Sequence, residues 1–150
     1  MERKVTHASF TIERSLSASP ERVFKAFADQ ETKAKWFIGP DTWQKSDQTL
    51  DFKIAGKEHV SGGPPGGPVH RYDSTFMDIV PNERIITTYE MHLDDDRISV
   101  SVATLEFKAT DGGTKLTPTE QGAYLDGFDT PERREHGTND LLDKLGASLK

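Results

Sequence analysis

The sequence has no cysteine among its 150 residues, so it can form no disulfide, offer no thiol nucleophile and build no cysteine-ligated zinc site. It also lacks a cluster of lysines and arginines, and its net charge is −6, which makes nucleic acid and anionic membrane surfaces poor partners. No apolar run is long enough to span a bilayer or to form the core of a signal peptide. We therefore expect a cytoplasmic protein that binds neither nucleic acid nor membrane.

Hydrophobic residues are also scarce, at 33% of the chain, whereas charged residues reach 29%. With so few apolar side chains, much of each helix and strand must face water. A single sheet with one wetted face explains this composition better than a sheet buried on both faces. The length favours one domain that spans residues 1–150, and the sequence shows no internal repeat or linker.

Two helices begin with recognisable capping signals. Ser19 before Pro20, and Thr130 before Pro131, each place a hydroxyl at the N-cap and a proline at the first helical position. A second short helix is expected to lead from the first into Trp36. The C-terminal helix continues into an apolar stripe at helical spacing, formed by Leu141, Leu142, Leu145 and Leu149.

The first half of the C-terminal helix breaks this stripe. Helical spacing from Leu141 toward the amino terminus reaches Arg134, Gly137 and Thr138 instead of large apolar residues. A helix with an apolar second half and a small, polar first half is expected to bury one end and to overhang a space with the other. That space is the candidate binding site.

Between the helices the chain carries only strand signals and turns. Alternating apolar residues and intervening turn residues predict strands over residues 10–16, 50–54, 72–80, 84–93, 97–108 and up to 121. A change of apolar phase within 97–108 predicts a β-bulge near Ala103. The glycines and prolines of residues 61–68 predict a mobile loop at the mouth of a cavity, able to act as a lid.

This order of elements predicts an α+β fold. A first strand, two short helices, about six or seven antiparallel strands and a long C-terminal helix place the helices at the ends of a meander. The last helix is then expected to lie across a strongly curved antiparallel sheet. Wherever the helix does not fill the concave face of the sheet, a cavity remains.

Four groups of residues resemble the signatures of a known family. They are Arg14 with residues 18–24, residues 36–40, residues 78–85, and residues 119–127 with 137–138 and 141–145. On these residues the chain resembles one branch of the START and birch-pollen-allergen (SRPBCC) superfamily. This branch is named after the activator of the heat shock protein 90 ATPase and includes calicheamicin-resistance-like and polyketide-cyclase-like proteins. The resemblance implies the helix-grip fold, within which ligands and activities differ among members.

Two positions depart from the family pattern. Pro118 stands where relatives usually have an apolar or aromatic residue, which brings that ladder position of the last strand into question because proline has no N–H to donate. Thr138 follows Gly137 where many relatives have tryptophan. The resemblance therefore implies a larger or differently shaped pocket.

The residues expected to line this pocket combine apolar and aromatic side chains with a few polar groups, as ligand sites usually do. They are Trp36, Phe37, Trp43, Tyr72, Phe76, Tyr89, Met91, Glu120, Phe128, Arg134, Gly137, Thr138 and Leu141. Core packing is the alternative for each aromatic residue. Trp36 and Phe37, next to Gly39 and Pro40, are expected at the pocket rim, whereas Phe52 is expected in the core.

Two polar residues of this set have alternative roles. Glu120, at the end of the last strand, could orient a polar group of the ligand, act as an acid, or hydrogen-bond to the backbone of a neighbouring loop. Arg134 could pair with a ligand carboxylate or with Glu120. The sequence leaves these alternatives open.

The sequence contains no recognisable catalytic or metal-binding pattern. His59 and His70 could approach each other across a hairpin, but no carboxylate ligand accompanies them. Glu90 and His92 have the spacing for acid–base work, yet they alternate with Tyr89 and are expected on the solvated face. We expect no catalytic residue, no metal and no cofactor.

Three functions remain open. The first is binding of a small hydrophobic or aromatic molecule, such as a lipid or polyketide, between the sheet and the C-terminal helix. The second is a cyclase-like or isomerase-like enzyme, in which Glu120 or a tyrosine moves protons. The third is a co-chaperone that stimulates a chaperone ATPase, which the family name suggests. A monomer and a homodimer are both compatible with the sequence.

Overall fold

The computed structural model describes residues 2–150, apart from the side chains of residues 45 and 46. In this part of the chain, three helices accompany eight strands of one antiparallel sheet. In chain order the elements are β1 (Val5–Thr11), β2 (Arg14–Leu16), α1 (Pro20–Ala28), α2 (Gln30–Lys33), β3 (Gln44–Leu50), β4 (Lys57–Gly63), β5 (His70–Val80), β6 (Arg84–Leu93), β7 (Asp96–Thr110), β8 (Gly113–Leu125) and α3 (Pro131–Ser148).

The sheet is open, with the strand order β1-β8-β7-β6-β5-β4-β3, and β2 also pairs with β8. From β3 to β8 consecutive strands are neighbours, as a meander requires, whereas β1 and β2 both pair with β8. The predicted α+β fold, with an antiparallel sheet, two short helices near the start and a long C-terminal helix, is confirmed. The sheet has more strands than the sequence predicted because β2 is separate from β1, and because β3 and β4 lie outside the predicted strands except for Leu50.

Pro118 does not interrupt β8. β1 and β2 pair with β8 in one continuous register and form a single line, broken after Thr11. The Pro118 carbonyl accepts a hydrogen bond of 2.9 Å from the Ile12 N–H, and the backbone N and O of a strand residue point to the same side. The missing N–H of proline therefore falls at the break between β1 and β2, and the ladder to β7 is intact.

Helix α1 begins as the sequence predicted. The Ser19 hydroxyl accepts a hydrogen bond of 3.3 Å from the Arg22 N–H, and Pro20 occupies the first turn. The buried face of the helix carries Val23, Phe24, Ala26 and Phe27. Full burial of each larger apolar side chain contributes about 1.5–3 kcal/mol. This face fixes α1 on β7 and β8, where Phe24 and Phe27 meet the ring of Phe107 edge to face.

Helix α3 also starts at its predicted cap. The Thr130 hydroxyl accepts a hydrogen bond of 3.2 Å from the Arg133 N–H. Three leucines of its second half are buried in the core, with exposed fractions of 4% for Leu142, 0% for Leu145 and 6% for Leu149. The second half of α3 is therefore the anchor that the apolar stripe predicted.

The predicted strand over residues 50–54 is wrong except for Leu50. The edge strand β3 occupies the polar segment before it, and residues 51–56 turn the chain, with Ala55 at a φ of 67°. An edge strand has one ladder partner only, and polar residues are common there. Phe52 nevertheless packs against the core, as expected.

The predicted bulge near Ala103 is also wrong. β7 pairs with β6 without a shift at this residue, and the register changes at Ile98 instead. Val100 and Val102 therefore lie on the outer face, 42% and 37% exposed. The inner face of this part of β7 carries Ser99, Ser101 and Ala103. The alternation of apolar residues predicted the wrong inner face for this part of β7, because the small polar residues Ser99 and Ser101 face inward.

Candidate ligand-binding cavity

A cavity of about 750 Å³ separates the first half of α3 from the inner face of the sheet. Small-molecule sites usually have roughly 300–1,000 Å³, so the space suits such a ligand. Alternate residues of a strand point to one face, and β5, β6 and β8 line the cavity with Tyr72, Phe76, Ile85, Thr87, Tyr89, Met91, Pro118 and Glu120. The helix contributes Arg134, Gly137, Thr138 and Leu141.

Aromatic rings form one wall of the cavity. Phe37 meets Tyr72 edge to face with ring centroids 5.1 Å apart, and Tyr72 lies against Tyr89 at 4.9 Å. Trp36 joins this aromatic row through Phe37, but it is only 2% exposed and its Nε1–H donates to the Ala26 carbonyl at 2.9 Å. Trp36 is thus a core residue that also lines the cavity, and its prediction as a rim residue is wrong.

A buried polar group lies beneath the first turns of α3. We call it the arginine cluster, and its members are Tyr89, Ser99, Glu120, Asp129 and Arg134. The guanidinium donates to the Tyr89 hydroxyl at 2.9 Å and to the Ser99 hydroxyl at 2.7 Å. It also lies 3.1 Å from the Asp129 carboxylate and 3.4 Å from that of Glu120. The Tyr89 hydroxyl in turn donates to Glu120.

These contacts decide between the two partners that the sequence left open for Arg134. Both terminal nitrogens are occupied, Nη1 by Tyr89 and Glu120 and Nη2 by Ser99 and Asp129, which accounts for their four N–H groups. A ligand carboxylate would have to displace one of these partners. The cluster therefore ties α3 to β6, β7 and β8.

Protonation in this region follows from burial and charge. Burial raises the pKa of Tyr89, with Arg134 opposing and Glu120 reinforcing the shift. Burial also raises the pKa of Tyr124, which donates to Glu120 at 3.4 Å, to about 12. Burial lowers the pKa of Arg134, but Tyr89, Glu120 and Asp129 outweigh it, so the net shift is upward. At neutral pH the tyrosines are neutral donors around a charged guanidinium.

A second polar pair lies near the other end of the aromatic row. Lys33 Nζ donates to Glu58 Oε1 at 2.7 Å, and the two residues are 5% and 1% exposed. The ammonium is also in cation–π contact with Phe37, 4.4 Å from the ring centroid, and Lys33 lines the cavity. Nothing local in the sequence marks this pair, because Lys33 lies in a polar run and only pairing with β3 and β5 fixes which face Glu58 occupies.

The mouth of the cavity lies between α3 and the segment after α2. Its exposed lining residues are Gly39, Pro40, Gln44, Asp47, Arg133, Gly137 and Asp140. Trp43 stacks on His70 here, with ring centroids 4.4 Å apart. Lys144 Nζ donates to the Ile38 carbonyl at 3.0 Å and ties α3 to this segment. Burial lowers the pKa of His70 against the pull of nearby carboxylates.

The predicted lid does not cover this mouth. Ser61 and Gly62 line the cavity as part of β4, whereas none of the described residues 64–68 does. The turn itself is closed by a hydrogen bond of 2.9 Å from the Gly67 N–H to the Pro64 carbonyl. The loop is therefore shorter than predicted and lies beside the cavity.

All predicted site residues except Phe128 line the cavity. Asp126 and Gly127 follow β8 with φ of 56° and 75°, and these left-handed conformations redirect the chain. Phe128 consequently lies at a separate small pocket beside Arg3 and Asp95. Ligand contact by the other residues stays a prediction.

The structure also shows where two residue pairs that contain histidine lie, both of which the sequence analysis considered. Glu90 and His92 lie 3.8 Å apart on the face of β6 opposite Tyr89, as expected, but the His92 side chain is only 14% exposed, so the pair is less solvated than predicted. His59 and His70 do not meet, because His59 bonds to Asp73 at 2.5 Å on the face opposite His70. Across residues 2–150, no group of three or more His, Asp or Glu side chains gathers where a metal could bind.

An antiparallel sheet that holds a cavity against one C-terminal helix defines the helix-grip class of the START and birch-pollen-allergen superfamily. The model of the family described as activator of Hsp90 ATPase homolog 1-like protein matches residues 17–150, and the chain belongs to this family. No curated protein matches the chain. Within the described part of the chain, no helix has the length and apolar character needed to cross a membrane.

Solved structures agree with this assignment. An uncharacterised protein from Rhizobium leguminosarum is 43% identical with a TM-score of 0.94, over 99% of this chain and 98% of that chain. The Mll3558 protein from Rhizobium loti is 42% identical with a TM-score of 0.90, over 97% and 99%. An AHSA1-like protein from Aeromonas hydrophila is 19% identical with a TM-score of 0.71, over 95% and 92%, and supports the fold alone. None of these names states a ligand.

Proposed function

We propose that the protein binds a small hydrophobic or aromatic molecule in the cavity between α3 and the sheet. The cavity itself, about 750 Å³ and lined mainly by aromatic and aliphatic side chains, supports this function. Protein interiors are otherwise close-packed, with few voids larger than a water molecule. A space of this size beside a complete leucine anchor is therefore best explained by an occupant.

A screen of apolar and aromatic compounds by thermal shift tests the proposal. A ligand present at about 100 times its Kd adds about 2.7 kcal/mol of stability, which is a large shift of Tm. We expect at least one compound class to bind with one site per chain. If no compound raises Tm and native mass spectrometry of cell-purified protein finds no bound molecule, the proposal is wrong.

Substitution at Gly137 locates the site. A Cβ added at Gly137 meets no heavy atom within 4 Å, so Gly137→Trp fills the mouth without a clash at the Cβ. We expect the fold to survive and the ligand-induced shift to disappear. Gly137→Ala is the matched control, because it leaves the space open and should bind as the wild type does. Equal binding by the tryptophan variant would place the site elsewhere.

A cyclase-like or isomerase-like enzyme would use the same cavity, with Tyr89 and Glu120 as the groups that move protons. Their hydrogen bonds favour binding over catalysis, since the Tyr89 hydroxyl already donates to Glu120 and accepts from Arg134. Chromatography of the bound compound after long incubation tests this alternative. Turnover that Glu120→Gln abolishes would make the protein an enzyme, and an unchanged compound would argue against it.

Stimulation of a chaperone ATPase is the other candidate, and the family match favours it. The test compares the ATPase rate of purified Hsp90-type chaperone with and without this protein. A raised rate would support a co-chaperone, and an unaltered rate at saturating protein would exclude it.

A further inference from the structure

We propose that the cavity selects neutral aromatic molecules that carry a carbonyl oxygen, and that Lys33 Nζ donates the hydrogen bond that recognises this oxygen. The inference rests on the proposed function, because it names the ligand class for the same cavity. Three observations support it: the free donor capacity of Lys33, the occupied terminal nitrogens of Arg134 and the charges of the buried groups around the cavity.

Lys33 has donor capacity that the protein does not use. An ammonium carries three N–H groups, and among the residues described Glu58 is its only hydrogen-bond acceptor, at 2.7 Å. The Phe37 ring, 4.4 Å away at its centroid, covers another side of the ammonium. Lys33 is 5% exposed and borders the cavity. Because a buried N–H without an acceptor is costly, a ligand oxygen beside Nζ is favoured.

Glu58 fixes the position of this donor. It is 1% exposed and belongs to β4, which is paired on both sides by β3 and β5. The Lys33 side chain reaches from α2 to this carboxylate, so the ammonium is held at one point of the cavity wall. A fixed donor recognises an acceptor with less entropic cost than a mobile lysine does.

The arginine cluster offers no equivalent donor. Both terminal nitrogens of Arg134 already contact protein oxygens, from Tyr89, Ser99, Glu120 and Asp129. A ligand oxygen could bind there only by breaking one of these contacts. Of the two cations held inside the cavity, Lys33 is therefore the one with N–H groups to spare for a ligand acceptor.

The charges around the cavity favour a neutral ligand. Lys33 and Glu58 balance each other, whereas Arg134 faces two carboxylates, Glu120 and Asp129. These buried groups carry one negative charge in excess, and at the mouth the cations Arg133 and Lys144 balance Asp47 and Asp140. A ligand carboxylate beside the buried groups would add a further negative charge, and like charges in a poorly solvated site repel strongly. A ketone gains the hydrogen bond from Lys33 without this repulsion.

The neighbours of Lys33 set the shape of the ligand body. Phe37 and Tyr72 meet edge to face at 5.1 Å, and Tyr72 continues the aromatic row to Tyr89. Flat aromatic rings pack well on such a wall in offset or edge-to-face arrangements. An aromatic ketone can therefore place its rings on this wall and its oxygen at Nζ.

Three probes of nearly the same shape test the inference, with Kd measured by isothermal titration calorimetry. They are 9-fluorenone, the hydrocarbon fluorene, and fluorene-9-carboxylate. We expect fluorenone to bind about tenfold more tightly than fluorene, since a hydrogen bond from a charged donor supplies at least that factor, and the carboxylate to bind most weakly. Equal Kd values for fluorenone and fluorene, or tightest binding of the carboxylate, would overturn the inference and leave the proposed function standing. If none of the three binds, the inference is overturned, and the proposed function is then decided by the thermal-shift screen and native mass spectrometry.

The double variant Lys33→Met, Glu58→Gln assigns the preference to Lys33. It removes both charges together, because a buried charge left alone destabilises a protein strongly. We expect the fluorenone preference to fall to about onefold while the Kd for fluorene stays within about twofold. Lys35→Met is the matched control, since Lys35 is exposed and does not line the cavity, and it should keep the wild-type preference. A preference that persists in the double variant would contradict the assignment.

Infrared spectroscopy gives a second readout that needs no variant. Bound fluorenone should show its carbonyl stretch at lower frequency than in an apolar solvent, because a donated hydrogen bond weakens the C=O bond. An unshifted stretch in the complex would overturn the proposed contact.

Discussion

The two halves of α3 join the protein by different interactions. The second half buries leucines in the core, with Leu145 fully buried, and among its three buried leucines Leu142 alone borders the cavity. The first half is held above the sheet by the polar contacts of Arg134, whose partners lie on β6, β7, β8 and just before the helix. Next to this polar tie the cavity remains open.

The difference shows how one helix can close a core and roof a cavity. Apolar packing needs contact over the whole surface of a side chain, so it removes empty space. A few directional hydrogen bonds fix a helix at one point and leave the neighbouring surface uncovered. The small residues Gly137 and Thr138, directly after the tie, then provide the roof.

The largest expected loss of stability comes from removing the polar contacts of Arg134, which we call the polar tie. Arg134→Met leaves Glu120 and Asp129 buried without their partner, and breaking a buried ion pair in this way costs about 3–5 kcal/mol. Urea unfolding measures the loss. Arg133→Met is the matched control, because Arg133 is exposed and such substitutions stay within about 0.5 kcal/mol. A loss for Arg134→Met as small as that of the control would contradict the role of the tie.

The leucine anchor is tested by Leu145→Ala. Removal of a fully buried leucine side chain costs about 2–5 kcal/mol, through lost transfer free energy and the cavity left behind. Leu141→Ala should cost clearly less, since Leu141 is half buried and already borders an empty space. Urea unfolding of both variants checks this order, and equal losses would mean that the two halves of α3 do not differ as described.

Alkaline titration tests the buried tyrosines beside the tie. The pKa of Tyr124 is raised from 10.0 to about 12, and that of Tyr89 is also raised. Between these pH values the folded protein keeps protons that the unfolded chain loses, so stability should fall as pH rises from 10.0 to about 12. Unfolding in urea at several pH values measures the slope, and Tyr124→Phe should reduce it. An unchanged slope in Tyr124→Phe would refute this shift.

The smallest expected changes in stability come from replacing the two glycines of α3. Gly137→Ala and Gly146→Ala should each stabilise the protein by about 0.4–1 kcal/mol, because alanine restricts the unfolded chain and favours the helix. A new Cβ meets nothing within 4 Å at Gly137 and only the Leu16 Cδ2 atom, at 3.7 Å, at Gly146. Thermal unfolding checks both values. Destabilisation by Gly137→Ala would show that the space above it is needed for stability.

Much of the fold could be predicted from local sequence. Ser19 and Thr130 cap their helices as expected, because N-capping depends on residues within one turn. The strand predictions were wrong where tertiary context overrides local pattern. The polar strand β3 is held by its ladder to β4 and by a hydrogen bond from the Gln30 side chain to the Gln48 carbonyl. Val100 and Val102 of β7 lie outward, whereas Ser99 lies inward and bonds to Arg134.

The candidate cavity was predicted in part. The break in the leucine stripe of α3 indicated the space, and its residues Arg134, Gly137 and Thr138 do line the cavity. The Lys33–Glu58 pair could not be predicted, because the two residues come from a short helix and a strand whose register no local signal fixes. Phe128 was misplaced because the backbone turn at Gly127 redirects it.

The sequence by itself determined the fold class, the helix caps and the difference between the polar first half and the apolar second half of α3. These features depend on residue type and on spacing within a few turns or strands. The tertiary structure alone decided which charges meet inside the cavity. These charges belong to different elements or to the segments between them: Arg134 meets Glu120 and Asp129, and Lys33 meets Glu58. Whether a buried charge finds its partner depends on distances of a few ångströms, and only the packed sheet and helices set such distances.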